Sequence, residues 1–222
     1  MTPNRGTDNC QTYLNLTSST IIDVNPSIPD ADWLRKWSLR QKSRDAINPA
    51  FPEGYFDLPA ILHGRIRCLF TLAELDECAR SACLDKFHGF LSLIVMEVKL
   101  VHCLRASMLL SGECCTQPLY ANQQTFQCKK CHATVQLRLN PKIIGYVIDE
   151  TGMVSSGRLV LSDQAWHDLL GRDVESLLQL NADDMGLLSD HIAFCRLTFV
   201  FGWGGGITEI GDRICVLAIR NC

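Results

Sequence analysis

Five cysteines between residues 103 and 131 constrain this chain more than any other feature. Cys128-Lys-Lys-Cys131 is a CxxC knuckle, in which a tight backbone turn lets two thiolates reach one metal ion. A closed tetrahedral site needs a second pair upstream, where Cys103, Cys114 and Cys115 lie. Cys115 sits at a spacing from Cys128 that suits paired zinc knuckles. Adjacent cysteines seldom both ligate one ion, because their side chains diverge. The expected ligands are therefore Cys103, Cys115, Cys128 and Cys131, with structural Zn2+ as the cofactor. Cys114 is able to replace either upstream member, and His102 or His132 to substitute. Buried thiols in a loop are the plainer reading of the same residues. Met1 to Asn25 is polar and lacks the apolar segment of a secretory signal, so metal ligation fits the twelve cysteines better than a disulfide framework. No cysteine has an obvious partnered histidine, which leaves a catalytic thiol as the poorest fit. Cys10, Cys68, Cys78, Cys83, Cys195, Cys215 and Cys222 read as core or surface thiols.

Strands surround this insert. Phe87 to Leu100 precedes it. Val135 to Leu139, Ile143 to Asp149, a turn at Glu150-Thr-Gly152 and Gly157 to Leu161 follow it. Ser162 caps a helix through Leu170, which Gly171 ends, and Val174 to Leu180 has a helical pattern. Leu197 to Trp203, a turn at Gly204-Gly-Gly206 and Arg213 to Ile219 make a final hairpin. Nearer the start, Arg65 to Phe70 is strand-like. Thr71 caps Leu72 to Ala79, with Glu74 completing a capping box. Asn48 to Pro59 reads as linker. Asp30 caps a helix carrying Trp33, Leu34 and Trp37, and Leu16 to Val24 is a β-branched run with strand character. The expected fold class is mostly β with short helices. More finely, it is an OB-fold, a five-stranded Greek-key barrel whose helix follows the third strand, carrying a zinc-ribbon insert at about 103–131.

A hydrophobic content of 47% excludes a chain disordered throughout, and no apolar run is long enough to span a bilayer. The net charge of −3 means that any grip on a polyanion comes from a local patch.

The segment Leu16-Thr-Ser-Ser-Thr-Ile-Ile-Asp-Val-Asn-Pro-Ser-Ile-Pro-Asp-Ala31 resembles a junction between domains in the replication protein A large-subunit family. Phe126-Gln-Cys-Lys-Lys-Cys131 is similar to the second knuckle of that family's zinc ribbon. Val135-Gln-Leu-Arg-Leu139 through Ile148-Asp-Glu-Thr-Gly152 is similar to the paired strands that follow, and Ser162 to Gly171 to a helix ending in Leu-Gly. The Asp149-Glu-Thr-Gly152 turn and Phe70-Thr-Leu-Ala-Glu-Leu75 lean toward the family's meiosis-specific OB-domain branch. The resemblance implies residues 1–25 as the terminal strand of a preceding, truncated OB-fold, 26–59 as helix and linker, and 60–222 as the C-terminal OB-fold. It implies single-stranded-DNA binding in meiotic homologous recombination and double-strand-break repair, on chromosomes in the nucleus. The implied partners are a spermatogenesis-associated protein and replication protein A.

OB-folds stack bases on aromatics and track phosphates with Lys and Arg. Arg138, Lys142 and Arg158 lie on or beside the central strands, Lys129 and Lys130 in the knuckle, and Trp203 at a glycine-rich loop. These six are the expected DNA contacts. Phe199 and Phe201 share a strand face with Trp203 and are expected in the core, as is Trp166 unless it meets a partner. An alternative is a protein-interaction module. Ser155 to Leu161 lacks stacking aromatics and the chain is acidic, both of which favour that alternative. A 3′→5′ exonuclease is the second alternative, implied by resemblance alone.

Overall fold

The computed structural model describes residues 2–5, 12–15, 18, 20, 26–32, 35, 48–64, 67–81, 86–204, 210 and 213–221. The chain forms two compact units, Met1–Lys42 and Ser43–Cys222. In the first, β1 (Thr2–Arg5) pairs antiparallel with β2 (Thr12–Asn15), and residues 29–32 are helical. The strand expected over Leu16 to Val24 falls mostly outside the described residues, as do Trp33, Leu34 and Trp37.

Among the described residues, the second unit is mostly sheet with short helices and has no closed barrel. Its long strands are β4 (Lys86–Val95), β13 (Arg196–Gly204) and β14 (Ile214–Asn221). Shorter pieces are β3 (Leu69–Phe70), β10 (Val147–Ile148), β11 (Met153–Val154) and β12 (Leu159–Leu161). The hydrogen-bonded order is β11-β10-β4-β13-β14-β12, with β3 parallel to β4 off this path. The path has two ends because the chain turns between β11 and β12, where the Arg158 amide donates to the Ser155 carbonyl at 3.1 Å.

Strand periodicity sorts the side chains into two apolar layers. Leu91, Leu93 and Val95 of β4, Phe199 and Phe201 of β13, and Ile214 and Val216 of β14 enter the larger core. Helix α4 (Asp163–Leu170) closes it with Trp166 and Leu170. The Ser162 hydroxyl caps α4 by accepting from the Ala165 amide, and Gly171 ends it in the left-handed region (φ 65°), as the sequence predicts. Phe199, Phe201 and Trp166 are core residues, in line with expectation. A second layer covers the opposite sheet face: Phe90, Val200, Cys215 and Leu217 pack with Phe56 and Ile61.

That second layer corrects the reading of residues 48–59 as linker. Phe56 is buried, Phe51 and Tyr55 pack beside it, and Asp57 caps helix α1 (Leu58–His63). Asn48 donates to the Oδ1 of Asn140 (2.8 Å) and to the Ser111 hydroxyl (3.2 Å), all three being buried. The apolar residues of this stretch have partners only once the sheet exists, so no local pattern announces them.

One strand is shorter than expected. β4 ends at Val95, and Leu100–Arg105 is helix α3 rather than the end of a strand. Ala182–Ile192 is helix α6, following the short α5 (Val174–Leu178). Asn181 caps α6, and Met185, Leu188 and Ile192 recur at helical spacing. The remaining helix, α2 (Leu72–Arg80), has the predicted capping box.

Candidate metal centre and clefts

The cysteine insert is a flap of short strands. β5 (Leu110–Cys114) and β6 (Gln117–Ala121) form a hairpin, and β9 (Arg138–Leu139) joins β5 at its root. β7 (Thr125–Gln127) and β8 (Thr134–Gln136) form a second hairpin. Each hairpin presents one pair of sulfurs.

In the second hairpin the knuckle closes between Cys128 and Ala133: the Cys128 amide donates to the Ala133 carbonyl and the His132 amide to the Cys128 carbonyl. The backbone amides of Cys131 and then Lys130 donate to the Cys128 sulfur and lower its pKa to about 6. A thiol so prepared could ligate a metal, since the thiolate is the binding form.

In the first hairpin Cys114 pairs with Gln117, leaving Cys115 and Thr116 as a two-residue turn. Both turn residues have positive φ, 53° and 61°. Such turns usually carry Asn or Gly, and for a β-branched residue like Thr116 this conformation is an outlier. The reversal brings neighbouring cysteines together, with Cys114 and Cys115 sulfurs 3.8 Å apart. The Cys114 sulfur lies 3.3 Å from that of Cys131.

The sulfurs of Cys114, Cys115, Cys128 and Cys131 all lie within 4.8 Å of one another. Four thiolates about 2.3 Å from one zinc ion would stand about 3.8 Å apart, so spacing and donor chemistry fit a closed tetrahedral site. The Cys131 and Cys128 sulfurs push the Cys114 thiol up to about 12. Four thiolates so close repel, and a bound cation offsets that repulsion.

Three expected ligands, Cys115, Cys128 and Cys131, are thus in the group, and Cys114 takes the fourth place. Cys103 is a correction. It is 3% exposed on α3, inside the larger apolar core, and burial raises its pKa. Spacing alone favoured it because the rule against adjacent ligands assumes side chains that diverge, which a turn with two positive φ angles reverses. His102 and His132 are not in the group either. Cys215 is buried, and burial pushes its thiol to about 12. Cys10, Cys83 and Cys222 lie outside the described residues.

The six residues expected to touch DNA are divided among several surfaces. Arg158 and Trp203 line one open cleft of about 530 Å3, together with Leu72, Leu75 and Asp76 of α2 and Thr151 to Ser155. Arg138 pairs with Glu53 at 3.5 Å and lines another cleft, of about 650 Å3, with Trp166, His167 and Arg172. The Lys142 ammonium stands 6.0 Å above the Tyr120 ring. Lys129 and Lys130 are exposed on the knuckle. Trp203 is half-buried, tilted 36° against Phe87 with centroids 6.4 Å apart. Among the described residues no helix is long and apolar enough to cross a membrane.

Asp149, read in the sequence only as part of a turn, also makes contacts far along the chain. Its carboxylate accepts from the Thr151 and Gly152 amides, the Thr151 hydroxyl and the distant Leu72 amide. Burial raises its pKa, but these donors outweigh it and hold the carboxyl below the ordinary Asp value. The Asp-x-Thr-Gly spacing is the signal, because an Asp that bonds two and three residues ahead makes an Asx-turn.

No protein-family model matches the chain, and no curated protein sequence matches it significantly.

Proposed function

We propose that this chain is a single-stranded-DNA-binding module of the OB type, its flap held by a structural zinc ion on Cys114, Cys115, Cys128 and Cys131. The strand connections support the OB reading. β4 pairs antiparallel with both β10 and β13, β13 pairs antiparallel with β14, and β14 runs parallel to β12. Taking β11 and β12 as one strand interrupted at residues 155–158 gives five strands in the OB order, with α4 after the third. The two ends of the hydrogen-bonded path are then parts of a single strand.

The observation that carries the DNA reading is the shared cleft of Trp203 and Arg158. An indole for a base and a guanidinium for a phosphate are the pair that single-strand binding requires. The family resemblance extends the proposal to meiotic recombination on chromosomes, beside replication protein A and a spermatogenesis-associated partner. The test is titration of a labelled oligodeoxythymidine at several salt concentrations. We expect Arg158→Glu to weaken binding and flatten the salt dependence by about one phosphate contact. Absence of binding by the folded, zinc-loaded wild type would remove the reading.

A protein-docking role is the second reading. Leu187 and Phe194 are 70% and 71% exposed, unusually large apolar side chains to leave in water.

A further inference from the structure

Helix α2 forms one wall of the cleft that Trp203 and Arg158 line, through Leu72, Ala73, Leu75, Asp76 and Ala79. At nine residues it is too short to hold its shape alone. Only Leu72 and Leu75, both in its first turns, are buried. What happens at its N-terminus therefore decides where the wall stands.

The N-terminal amides of a helix have no partner within the helix. Here each has one. The Thr71 amide donates to Glu74 at 2.8 Å, and the Glu74 amide to the Thr71 hydroxyl at 3.3 Å. These two bonds are local. The others reach across the fold: the Leu72 amide donates to the Asp149 carboxylate at 2.6 Å, and the Ala73 amide to the Thr151 hydroxyl at 3.0 Å. Asp149 also accepts from the Thr151 amide (2.7 Å), the Thr151 hydroxyl (2.8 Å) and the Gly152 amide (2.8 Å). The turn is thus braced before it grips the helix. Immediately before α2, the Phe70 ring lies where a Cβ on Gly89 would stand, 2.5 Å from the nearest ring atom, and meets Phe201 edge-on at 5.5 Å. The helix is pinned at one end by a ring and a turn. The same turn supplies Thr151 and Gly152 to the cleft itself.

We infer that Asp149 and Thr151 are positioning residues for the cleft: they clamp α2 as its second wall, so that one unstacked base is held between the helix and the strand bearing Trp203. The inference rests on the DNA reading above and deepens it. The clamp acts on shape and contributes no charge to a phosphate.

The test uses the full, zinc-loaded chain and a fluorescein-labelled oligodeoxythymidine, well below the melting temperature. Thr151→Val removes the acceptor for Ala73 at nearly constant volume, and Asp149→Ala removes the acceptor for Leu72. Both are expected to speed hydrogen exchange at those amides and to weaken binding about tenfold, on the scale of one lost base contact. The salt dependence should stay that of the wild type, because no phosphate contact is lost. Thr151→Ser, which keeps the hydroxyl, should restore affinity. If Asp149→Ala fails to fold, the two Thr151 variants carry the test. Wild-type affinity in Thr151→Val overturns the inference. Absence of binding by the wild type instead removes the DNA reading, and the inference with it.

Discussion

The sheet and the flap belong to one compact unit but are held together by different physics. In β4 and β13 most side chains are buried, and the residues of β14 with assigned burial are buried except Arg220, facing one apolar layer or the other. In β7 and β8 none is, and β6 buries only Ala121. The sheet is stabilised by area removed from water, which is distributed over dozens of residues. The flap has less of it, from Leu110, Ala121 and Leu137 with Leu119, Phe126 and Val135 beside them, and a metal ion on its four sulfurs would concentrate cohesion at one point. Distributed cohesion tolerates local loss, whereas cohesion at a point does not.

Metal removal should produce the largest separation between the two regions. Structural zinc in small thiolate sites is worth about 10–16 kcal/mol of coupled folding, far more than the flap's own burial supplies. Chelation, or Cys128→Ser, should therefore abolish the ordered amide signals of residues 110–136 while β4, β13 and β14 keep theirs. The metal content should fall from one zinc ion per chain to none. Collapse of the whole spectrum would mean that the two regions form one cooperative unit.

Phe199→Ala probes the other side of the comparison. A fully buried phenyl lost from the larger core costs about 3–5 kcal/mol. Chemical denaturation should show that loss for the sheet with the zinc content unchanged. A lost zinc ion would show that the flap needs the core behind it.

The effect of acid on α2 should be smaller than either of these. The Thr71 amide and then its hydroxyl hold Glu74 below its ordinary pKa, and the Leu72 amide heads the donors that lower Asp149. A lowered folded-state pKa means that the stabilisation is complete above the unfolded value, about 4 for a carboxyl, and is lost as pH falls through the folded value. Amide exchange in α2, corrected for its intrinsic pH dependence, should thus be protected at neutral pH and lose protection below about pH 4. Unchanged protection down to pH 2 would refute the carboxylate's part in the clamp.

What could be read in the sequence was local. Thr71 with Glu74, Ser162 with Gly171, and the Cys128–Cys131 knuckle each encode their geometry within four to ten residues, and each is found as read. What escaped depends on partners far along the chain. Cys114 replaces Cys103 because a turn with two left-handed residues folds one sulfur back on its neighbour. Asn48 and Phe56 resembled linker because their partners, Asn140 and the outer face of β13 and β14, lie about a hundred residues away or more. The Asp149 clamp spans 77 residues. In each case the residue types were visible, but which residues they would meet was not.

The covering of the second sheet face by residues 48–62 bears on where this protein can be cut. A fragment started at residue 60, where motif reading would begin the domain, would lose Asn48, Phe51 and Phe56 and bare Phe90, Val200 and Leu217 to water. Such a fragment would tend to self-associate, and its stickiness could be mistaken for affinity toward a partner. The earlier boundary, at Ser43, keeps the lining with the sheet it protects.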